Sequence, residues 1–203
     1  MKDLFIGVNR DKDISKFNKK QIRKCEKKKF CDFCGINIES DHNFHQKGSE
    51  LYASCSICYY TENLDEIVAM KKGSIILMPE MTQVELNAML RLIWYYESIE
   101  EEDMIDKIDT IGNLYSQIRE RENFVESYYS EGASDIDIVI NSLYNFKKER
   151  YEKRDVGMYG LLWMPEKDIF SKQVPIWNTE LSQKFPPEKF KELIENIKNV
   201  IEE

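Results

Sequence analysis

Four of the five cysteines fall into two pairs whose spacing suits a shared metal ion. Cys31 and Cys34 form the first C-x-x-C pair, Cys55 and Cys58 form the second, and 20 residues separate the pairs. Two residues between cysteines let a tight turn aim both sulfurs at one point, and two such turns supply four thiolates to a tetrahedral Zn²⁺. The sequence therefore predicts one structural zinc ion per chain, bound by these four residues.

Other interpretations of these cysteines stay open at the level of sequence. One alternative is that the four cysteines are reduced thiols that cluster by accident. The other is that they bind an iron–sulfur cluster, which uses the same thiolates. The apolar run at residues 4–8 is too short for a secretion signal, so we expect a cytoplasmic protein, in which disulfides are rare. Four protein thiolates leave a tetrahedral zinc ion no open position for water, so zinc catalysis is not expected.

Two residues near the cysteine pairs carry expectations of their own. Gly35 follows the first pair, where a turn of this kind often needs a positive φ angle. Cys25 lies at helical spacing after Ile14, Phe17 and Ile22. We therefore expect Cys25 to be a small buried hydrophobe rather than a fifth ligand.

The order helix, C-x-x-C, Asp-His, C-x-x-C resembles the HNH or treble-clef arrangement. In HNH nucleases the His of an Asp-His pair activates water, and later Asn and His residues position the catalytic metal. Asp41 and His42 match that pair, but Tyr59 follows the second cysteine pair, where HNH proteins often have His. His42 and His45 are the only histidines of the chain, and a metal clamp needs several converging ligands. We therefore expect both to be surface loop residues on an HNH-like scaffold without its chemistry. An active HNH-type metal-dependent endonuclease is the alternative.

Charge is unevenly spread along the chain. Residues 1–60 carry 12 Lys and Arg against 8 Asp and Glu, and residues 61–203 carry 17 against 29. This acidic body argues against a general nucleic-acid binder, because contacts to phosphate supply most of that affinity. Seven basic residues lie between Lys19 and Lys29. They form either a solvated helix face or a local site for an anionic partner.

Hydrophobic spacing predicts the elements that must position these residues. Residues 4–8 are predicted as a short strand, and residues 11–27 as a helix that leads into the first cysteine pair. Residues 74–78 have strand composition. Thr82 and Glu85 then form a capping box. It opens a helix whose apolar stripe we expect in the core, namely Leu86, Met89, Leu90, Ile93 and Trp94.

Further helices are predicted after an exposed turn at residues 100–103. One long helix ends near Gly132, and one face carries Ile111, Leu114, Ile118, Val125 and Tyr128. The next helix opens at residues 134–137 and has Ile140, Leu143 and Tyr144 inside. A final amphipathic helix starts at Pro186 and Pro187, with the stripe Phe190, Leu193, Ile194, Ile197 and Ile201. No run of about 18 apolar residues occurs, so membrane insertion is not expected.

The predicted fold class is α+β and predominantly helical. We divide the chain into an HNH-like (treble-clef) zinc-binding module at residues 1–78, a helical body packed on it at 79–146, and a C-terminal extension at 147–203 that ends in the amphipathic helix. The strongly charged residues 147–154 mark the second boundary. The sequence offers no glycine-rich phosphate loop and no Ser/His/Asp arrangement, so we expect no catalytic residues and no cofactor besides zinc.

Three stretches resemble the DotN (IcmJ) family of Dot/Icm type IVB secretion systems. They are FCDFCG at residues 30–35, LMPEMTQVELN at 77–87 and SEGASD at 130–135. The second is the most specific, since it is similar to L-P-E-L-T-Q-x-E-L-N in the family, and the third is similar to G-E-G-T-S-D. The resemblance spans roughly residues 20–145.

The resemblance implies a non-enzymatic adaptor of the coupling complex with a degenerate HNH-like zinc fold. Proteins of this family bind the C-terminal tail of the coupling ATPase DotL. They help assemble the platform that receives effector proteins, so the resemblance implies a cytoplasmic protein peripheral to the inner membrane through its complex. The expected partners are a DotL-like tail and other coupling-complex subunits, and nucleic acid is not among them.

Aromatic residues are the natural candidates for contacts to such a partner, because interface hot spots are rich in Trp and Tyr. The candidates are Trp94, Tyr95, Tyr96, Trp163 and Trp177. Each of them also suits the core of the protein. The sequence leaves both roles open, with the core favoured for each residue taken singly.

Overall fold

The computed structural model describes residues 2–10, 17–47, 49–99, 105–186 and 189. Within these ranges the chain is mixed α and β, with mostly helices and two small antiparallel sheets. The helices are α1 (Lys19–Glu26), α2 (Ser56–Thr61), α3 (Gln83–Tyr96), α4 (Ile105–Arg119), α5 (Glu122–Tyr128), α6 (Ile136–Asn145), α7 (Lys148–Glu152), α8 (Arg154–Gly157) and α9 (Val174–Lys184). The strands are β1 (Asn43–Lys47), β2 (Glu50–Ser54), β3 (Ser74–Leu77) and β4 (Leu161–Met164).

The strand predicted at residues 4–8 is wrong, although the segment is buried. Leu4, Ile6 and Val8 point into the core. Between them, the Gly7 backbone amide donates to Thr61 and the Gly7 carbonyl accepts from Leu64, each at 3.0 Å. The segment therefore satisfies its backbone against the end of α2 and the turn after it rather than against a neighbouring strand.

A β-hairpin follows the first cysteine pair. Strands β1 and β2 pair antiparallel with Phe44 opposite Ala53 and His45 opposite Tyr52. Helix α1 packs against β2 and is closed at its start by a capping box of Asn18 and Gln21. The predicted helix at 11–27 is confirmed for its second half, and residues 11–16 lie outside the described ranges.

The second sheet joins the middle of the chain to its later part. Strand β3 confirms the prediction at 74–78 and pairs antiparallel with β4, with Ile75 opposite Trp163. Gly73 precedes β3 with a φ of +91°, and a Cβ there would lie 2.1 Å from the Met164 carbonyl oxygen, so only glycine fits. The predicted capping box is confirmed at the start of α3, where Thr82 and Glu85 satisfy each other's backbone amides.

The single long helix predicted to end near Gly132 is wrong, because the chain breaks it between α4 and α5. The Arg121 carbonyl accepts a hydrogen bond from the Leu77 amide of β3 at 3.4 Å. The Arg121 guanidinium pairs with Glu80 at 2.5 Å. Both bonds fix the backbone at the junction. Of the predicted stripe, Ile111, Ile118 and Val125 are buried, whereas Leu114 and Tyr128 are exposed.

Helix α6 begins as predicted, with Asp135 as its N-cap. Ile140 and Leu143 are buried as predicted, whereas the prediction is wrong for Tyr144, which is exposed. Residues 130–135 before α6 are held by Glu126, whose carboxylate accepts from the Ser134 amide at 3.2 Å and from the Gly132 amide and the Ser134 hydroxyl. The Ser134 carbonyl in turn accepts from the Ile75 amide at 2.8 Å. The SEGASD stretch is thus a connector between α5, α6 and β3.

The later part of the chain supplies much of the aromatic core. Trp94 of α3 stacks on Trp177 of α9, and Phe170 contacts both rings and Trp163. The five aromatic partner candidates are all buried, so the core role is confirmed and none is an exposed anchor. The final helix predicted from residue 186 and the turn at 100–103 lie outside the described residues, and the three-part division at 78 and 146 stays a prediction.

In the part of the chain that the structure describes, no helix is both long and apolar enough to cross a membrane.

Candidate metal centre

The first cysteine pair lies on a tight turn that closes on itself. The Cys31 amide donates to the Ile36 carbonyl at 2.9 Å, and the Cys31 carbonyl accepts from Gly35 at 3.0 Å. Gly35 has a φ of +73°, as its place after the pair predicted. Between the two cysteines, Phe33 is fully buried against the rings of His45 and Tyr52. The turn is therefore anchored on the hairpin.

Asp32 brings this turn next to the second cysteine pair. Its carboxylate accepts from the Ala53 amide at 2.9 Å, and its own amide donates to the Ala53 carbonyl at 2.9 Å. Ala53 lies two residues before Cys55, which is the N-cap of α2. Cys58 follows in the first turn of the same helix. The hairpin thus delivers Cys55 and Cys58 to the side of the turn that carries Cys31 and Cys34.

The four sulfur atoms meet at one point. All four Sγ atoms lie within 4.8 Å of one another, and those of Cys34 and Cys55 are 3.6 Å apart. Four sulfurs at about 2.3 Å from one zinc ion stand about 3.8 Å apart in a tetrahedron, so the donor set fits Zn²⁺ in type, number and separation. Three of the cysteines are buried and Cys34 is partly exposed. Among the described residues, no other group of His, Cys, Asp or Glu brings three ligand atoms together.

Two side chains of α3 donate to these sulfurs, and neither was predicted from the sequence. Arg91 Nη1 lies 3.8 Å from Cys55 Sγ, and Asn87 Nδ2 lies 3.8 Å from Cys58 Sγ. Both residues are buried. Asn87 closes the LMPEMTQVELN stretch, so the resemblance held a signal for it. Arg91 lies one helical turn further along and carries no sequence signal of its own.

The buried guanidinium and the thiols shift each other's pKa values. Burial acts to lower the pKa of Arg91, but the charges of Cys34, Cys55 and Cys58 outweigh it and hold that pKa above its usual range. Hydrogen bonds from Cys31, Cys55 and Cys58 lower the pKa of Cys34 well below its usual value. The pKa of Cys31 is lowered as well, whereas burial and the neighbouring thiols raise the pKa values of Cys55 and Cys58. A charged arginine therefore faces a cluster in which the thiolate form is favoured at Cys34 and Cys31.

A chain of amides connects Asn87 to the second sheet. Gln83 Nε2 donates to Asn87 Oδ1 at 2.9 Å and to the Trp163 carbonyl at 2.9 Å, and Gln83 Oε1 accepts from the Trp163 amide at 2.7 Å. The Gln83 side chain thus acts toward β4 as a neighbouring strand would. It places α3 so that Asn87 faces Cys58.

Asp41 has a structural role at the other side of the centre. Its carboxylate accepts from the Ser56 amide at 3.0 Å, from the Ser56 hydroxyl, and from Trp177 Nε1 at 3.1 Å. Burial raises the pKa of Asp41, while these donors oppose the shift. Asp41 therefore fixes the start of α2 beside Cys55 and ties α9 to the metal centre.

The prediction of surface loop residues is wrong for His45, whereas His42 does lie in the loop before β1. His42 is half-buried, and its Nε2 lies 3.2 Å from the Cys25 carbonyl oxygen. His45 is fully buried in β1, with Nε2 2.9 Å from a Glu62 carboxylate oxygen. Its ring packs edge-on against Phe33. Neither histidine is a member of the four-sulfur cluster.

Cys25 behaves as its helical spacing predicted. It is buried on the inner side of α1 and lies outside the four-sulfur cluster. Burial raises the pKa of its thiol to about 11, which keeps it protonated and unreactive at neutral pH.

Comparison with known proteins gives one informative similarity. No protein-family model matches the chain. The type 4 apparatus protein DotN of Legionella pneumophila subsp. pneumophila (strain Philadelphia 1) is 23% identical over 165 residues, with 72% of this chain and 72% of DotN covered. The chain is thus distantly similar to DotN over most of its length.

Proposed function

We propose that this chain is a zinc-containing, non-enzymatic adaptor subunit of a type IVB secretion coupling complex. The observation that carries the proposal is a four-sulfur centre enclosed by its own protein, in a chain similar to the type 4 apparatus protein DotN. This similarity suggests a secretion-system component rather than an enzyme. The stretches at residues 77–87 and 130–135 support membership of the DotN family, because both resemble motifs of that family.

Cys31, Cys34, Cys55 and Cys58 would hold one Zn²⁺ as a structural ion. When bound, the ion supplies a cross-link between the turn at 31–34 and the start of α2, and no chemistry at an open position. The order of turn, hairpin and helix supports an HNH-like (treble-clef) module. Zinc analysis of the purified protein tests the assignment: we expect one zinc per chain in the wild type and in Cys25→Ala, and loss of zinc in Cys55→Ser.

The alternative of an HNH-type endonuclease receives no support from the site. His42, which matches the nuclease base in sequence, is held at the Cys25 carbonyl. Asp41 beside it is occupied with Ser56 and Trp177. We expect no plasmid cleavage with Mg²⁺, Mn²⁺ or Ni²⁺. Cleavage that is lost in His42→Ala would overturn the adaptor proposal in favour of the nuclease.

The proposed partner is the C-terminal tail of a DotL-like coupling ATPase, together with other coupling-complex subunits. Such binding would keep the protein in the cytoplasm and peripheral to the inner membrane through its complex. Co-expression with the tail, followed by size-exclusion chromatography, tests this partner. We expect one stable complex that contains both chains, and consistent separation of the two chains at micromolar concentration would rule the tail out.

The anchor residues for such a tail are to be sought among the exposed aromatics, since the buried tryptophans are not available. The candidates in the described ranges are Phe30, Phe124, Tyr128, Tyr129, Tyr144, Tyr159 and Phe185. Alanine substitution of each residue in turn, measured as binding of the tail, identifies the surface. Hot-spot truncations typically cost about 2 kcal/mol or more of binding free energy.

A further inference from the structure

Helix α1 presents a basic face to solvent directly opposite its buried side. Its exposed basic residues are Lys19, Lys20, Arg23, Lys24 and, at its C-cap, Lys27. At about 100° per residue these five span about 140° of the helix circumference, centred about 170° from Cys25. Cys25 is the buried residue of the helix. Five of the seven basic residues clustered in the sequence therefore form one continuous charged surface.

The basic side chains of this face form no ion pairs within the described part of the molecule. Lys28 pairs with Asp32 at 2.6 Å and Lys29 pairs with Glu39 at 2.7 Å. The five residues of the basic face form no ion pair with any residue that the structure describes. Four to five like charges on eight residues of helix repel one another, and this repulsion is relieved when an anionic partner binds.

The helix is also held so that this face stays outward. Asn18 and Gln21 close its N-terminus with a capping box. On the inner side Cys25 is buried against the core, and its carbonyl oxygen lies 3.2 Å from His42 Nε2. A partner therefore meets a preformed row of charges rather than a segment that must first fold.

The size of the face decides what kind of anion fits it. Eight helical residues are about 12 Å long. Beyond residues 1–60 the chain carries 17 basic against 29 acidic residues, so a polyanion much longer than the helix gains little further positive charge from that part of the chain. A peptide of about the same length as the helix meets the basic face alone.

We propose that the α1 face binds a short acidic peptide segment of a partner protein, with a run of about four to six Asp or Glu residues. The site is independent of the DotL-like tail and of the secretion role proposed above, and its test requires neither. Lysine and arginine side chains at the spacing of one helical turn match carboxylates along an extended or helical acidic peptide.

Binding of fluorescein-labelled hexaglutamate to the zinc-loaded full chain, followed by fluorescence anisotropy at low salt, tests the proposal. The variant Lys20→Gln/Arg23→Gln/Lys24→Gln keeps helix propensity and removes three charges of the face. We expect its Kd to rise about tenfold, equal to about 1.4 kcal/mol, an amount within reach of three exposed charge contacts. The single variant Lys24→Gln, which perturbs the helix less, should raise the Kd about twofold.

Three controls distinguish binding at the α1 face from nonspecific electrostatic binding. The matched variant Lys147→Gln/Lys148→Gln/Lys153→Gln removes three exposed charges elsewhere and should leave the Kd unchanged. Labelled hexaglutamine should not bind. A single-stranded oligonucleotide of about 20 nucleotides and vesicles with anionic lipid should bind more weakly than hexaglutamate. Equal loss in the two triple variants, or tighter binding of the oligonucleotide or the vesicles, would overturn the proposal.

Discussion

At the scale of single residues, Arg91 is the side chain that places a buried positive charge beside the cysteine centre. A zinc ion with four thiolates carries a net charge of about −2 in a buried position, and such charge needs a partner of opposite sign. The Arg91 guanidinium lies 3.8 Å from Cys55 Sγ and 5.7 Å from the centre of the Trp177 ring. It therefore offsets the charge of the centre and joins it to α9.

Replacement of Arg91 by methionine tests this role. The Arg91→Met variant keeps much of the volume and loses the charge, so we expect zinc affinity to fall about 10- to 100-fold, the range for outer partners of metal ligands. Competition with a chromophoric chelator measures the affinity. Arg119→Met is the control, because Arg119 pairs with Glu166 away from the cysteines. Equal zinc affinity in wild type and Arg91→Met would contradict the assigned role.

Residue spacing predicted that the four cysteines meet, that Gly35 has a positive φ angle and that Cys25 is buried, because each inference depends on a few neighbours along the chain. It did not find Arg91, which lies 36 positions from Cys55 and meets it through the packing of α3. Residue spacing also misjudged His45, a polar residue of β1 that is buried beside Glu62. The positions of Arg91 and His45 depend on tertiary packing, which residue spacing does not show.

At the scale of elements, Gln83 decides how α3 lies against β4. Its side chain makes two hydrogen bonds with the backbone of Trp163, and all these groups are buried. In Gln83→Leu the Trp163 amide and carbonyl lose their partners, and each unpaired buried group costs about 1–3 kcal/mol. We expect the free energy of unfolding in urea to fall by about 2–4 kcal/mol. Gln183→Leu, at an exposed position of α9, should change it by less than about 0.5 kcal/mol.

The connector at residues 130–135 gives a second prediction at this scale. Hydrogen bonds from the Ser134 hydroxyl and from the Gly132 and Ser134 amides lower the pKa of Glu126 from its ordinary 4.5. A lowered pKa in the folded state stabilises the protein above pH 4.5, and this contribution is lost as the pH falls through the folded value. Glu126→Gln should therefore lower the urea midpoint at pH 7, with a gap to wild type that narrows below pH 4.5.

The control for this change is Glu131→Gln, an exposed neighbour in the same connector. It removes the same charge without the hydrogen bonds to residues 132–134, so its urea midpoint should stay close to that of wild type at every pH. A gap for Glu126→Gln that is constant between pH 7 and pH 3 would show that the carboxylate does not hold the connector.

The elements were predicted best where a local signal marks their ends. The capping box at Thr82 and Glu85 and the N-cap at Asp135 are signals of this kind, and α3 and α6 begin there. The break between α4 and α5 has no glycine or proline. It depends on Arg121, whose contacts with Leu77 and Glu80 come from a distant part of the chain. The apolar spacing runs across this break, so the sequence pattern predicted one continuous helix.

At the scale of the whole molecule, the cysteine centre connects regions that are far apart in sequence. Three residues after the turn at 31–34, the Asn37 amide donates to the Glu180 carboxylate of α9 at 3.1 Å. Asp41 links the start of α2 to Trp177 of α9, and Arg91 and Asn87 bring in α3. A cross-link at the cysteines should therefore stabilise α9 as well as the N-terminal part of the chain.

Zinc removal should consequently disturb the tryptophans, all three of which lie in the aromatic cluster near the centre. With a strong chelator, or in Cys55→Ser, we expect a lower melting temperature together with loss of the near-ultraviolet circular dichroism of tryptophan, because metal binding and folding are linked. Cys25→Ala controls for loss of a buried thiol and should retain the tryptophan signal and zinc-dependent melting. A chain that melts unchanged after complete zinc removal would refute a structural ion. Loss of the N-terminal structure with an intact tryptophan signal would instead show that the centre does not hold α9.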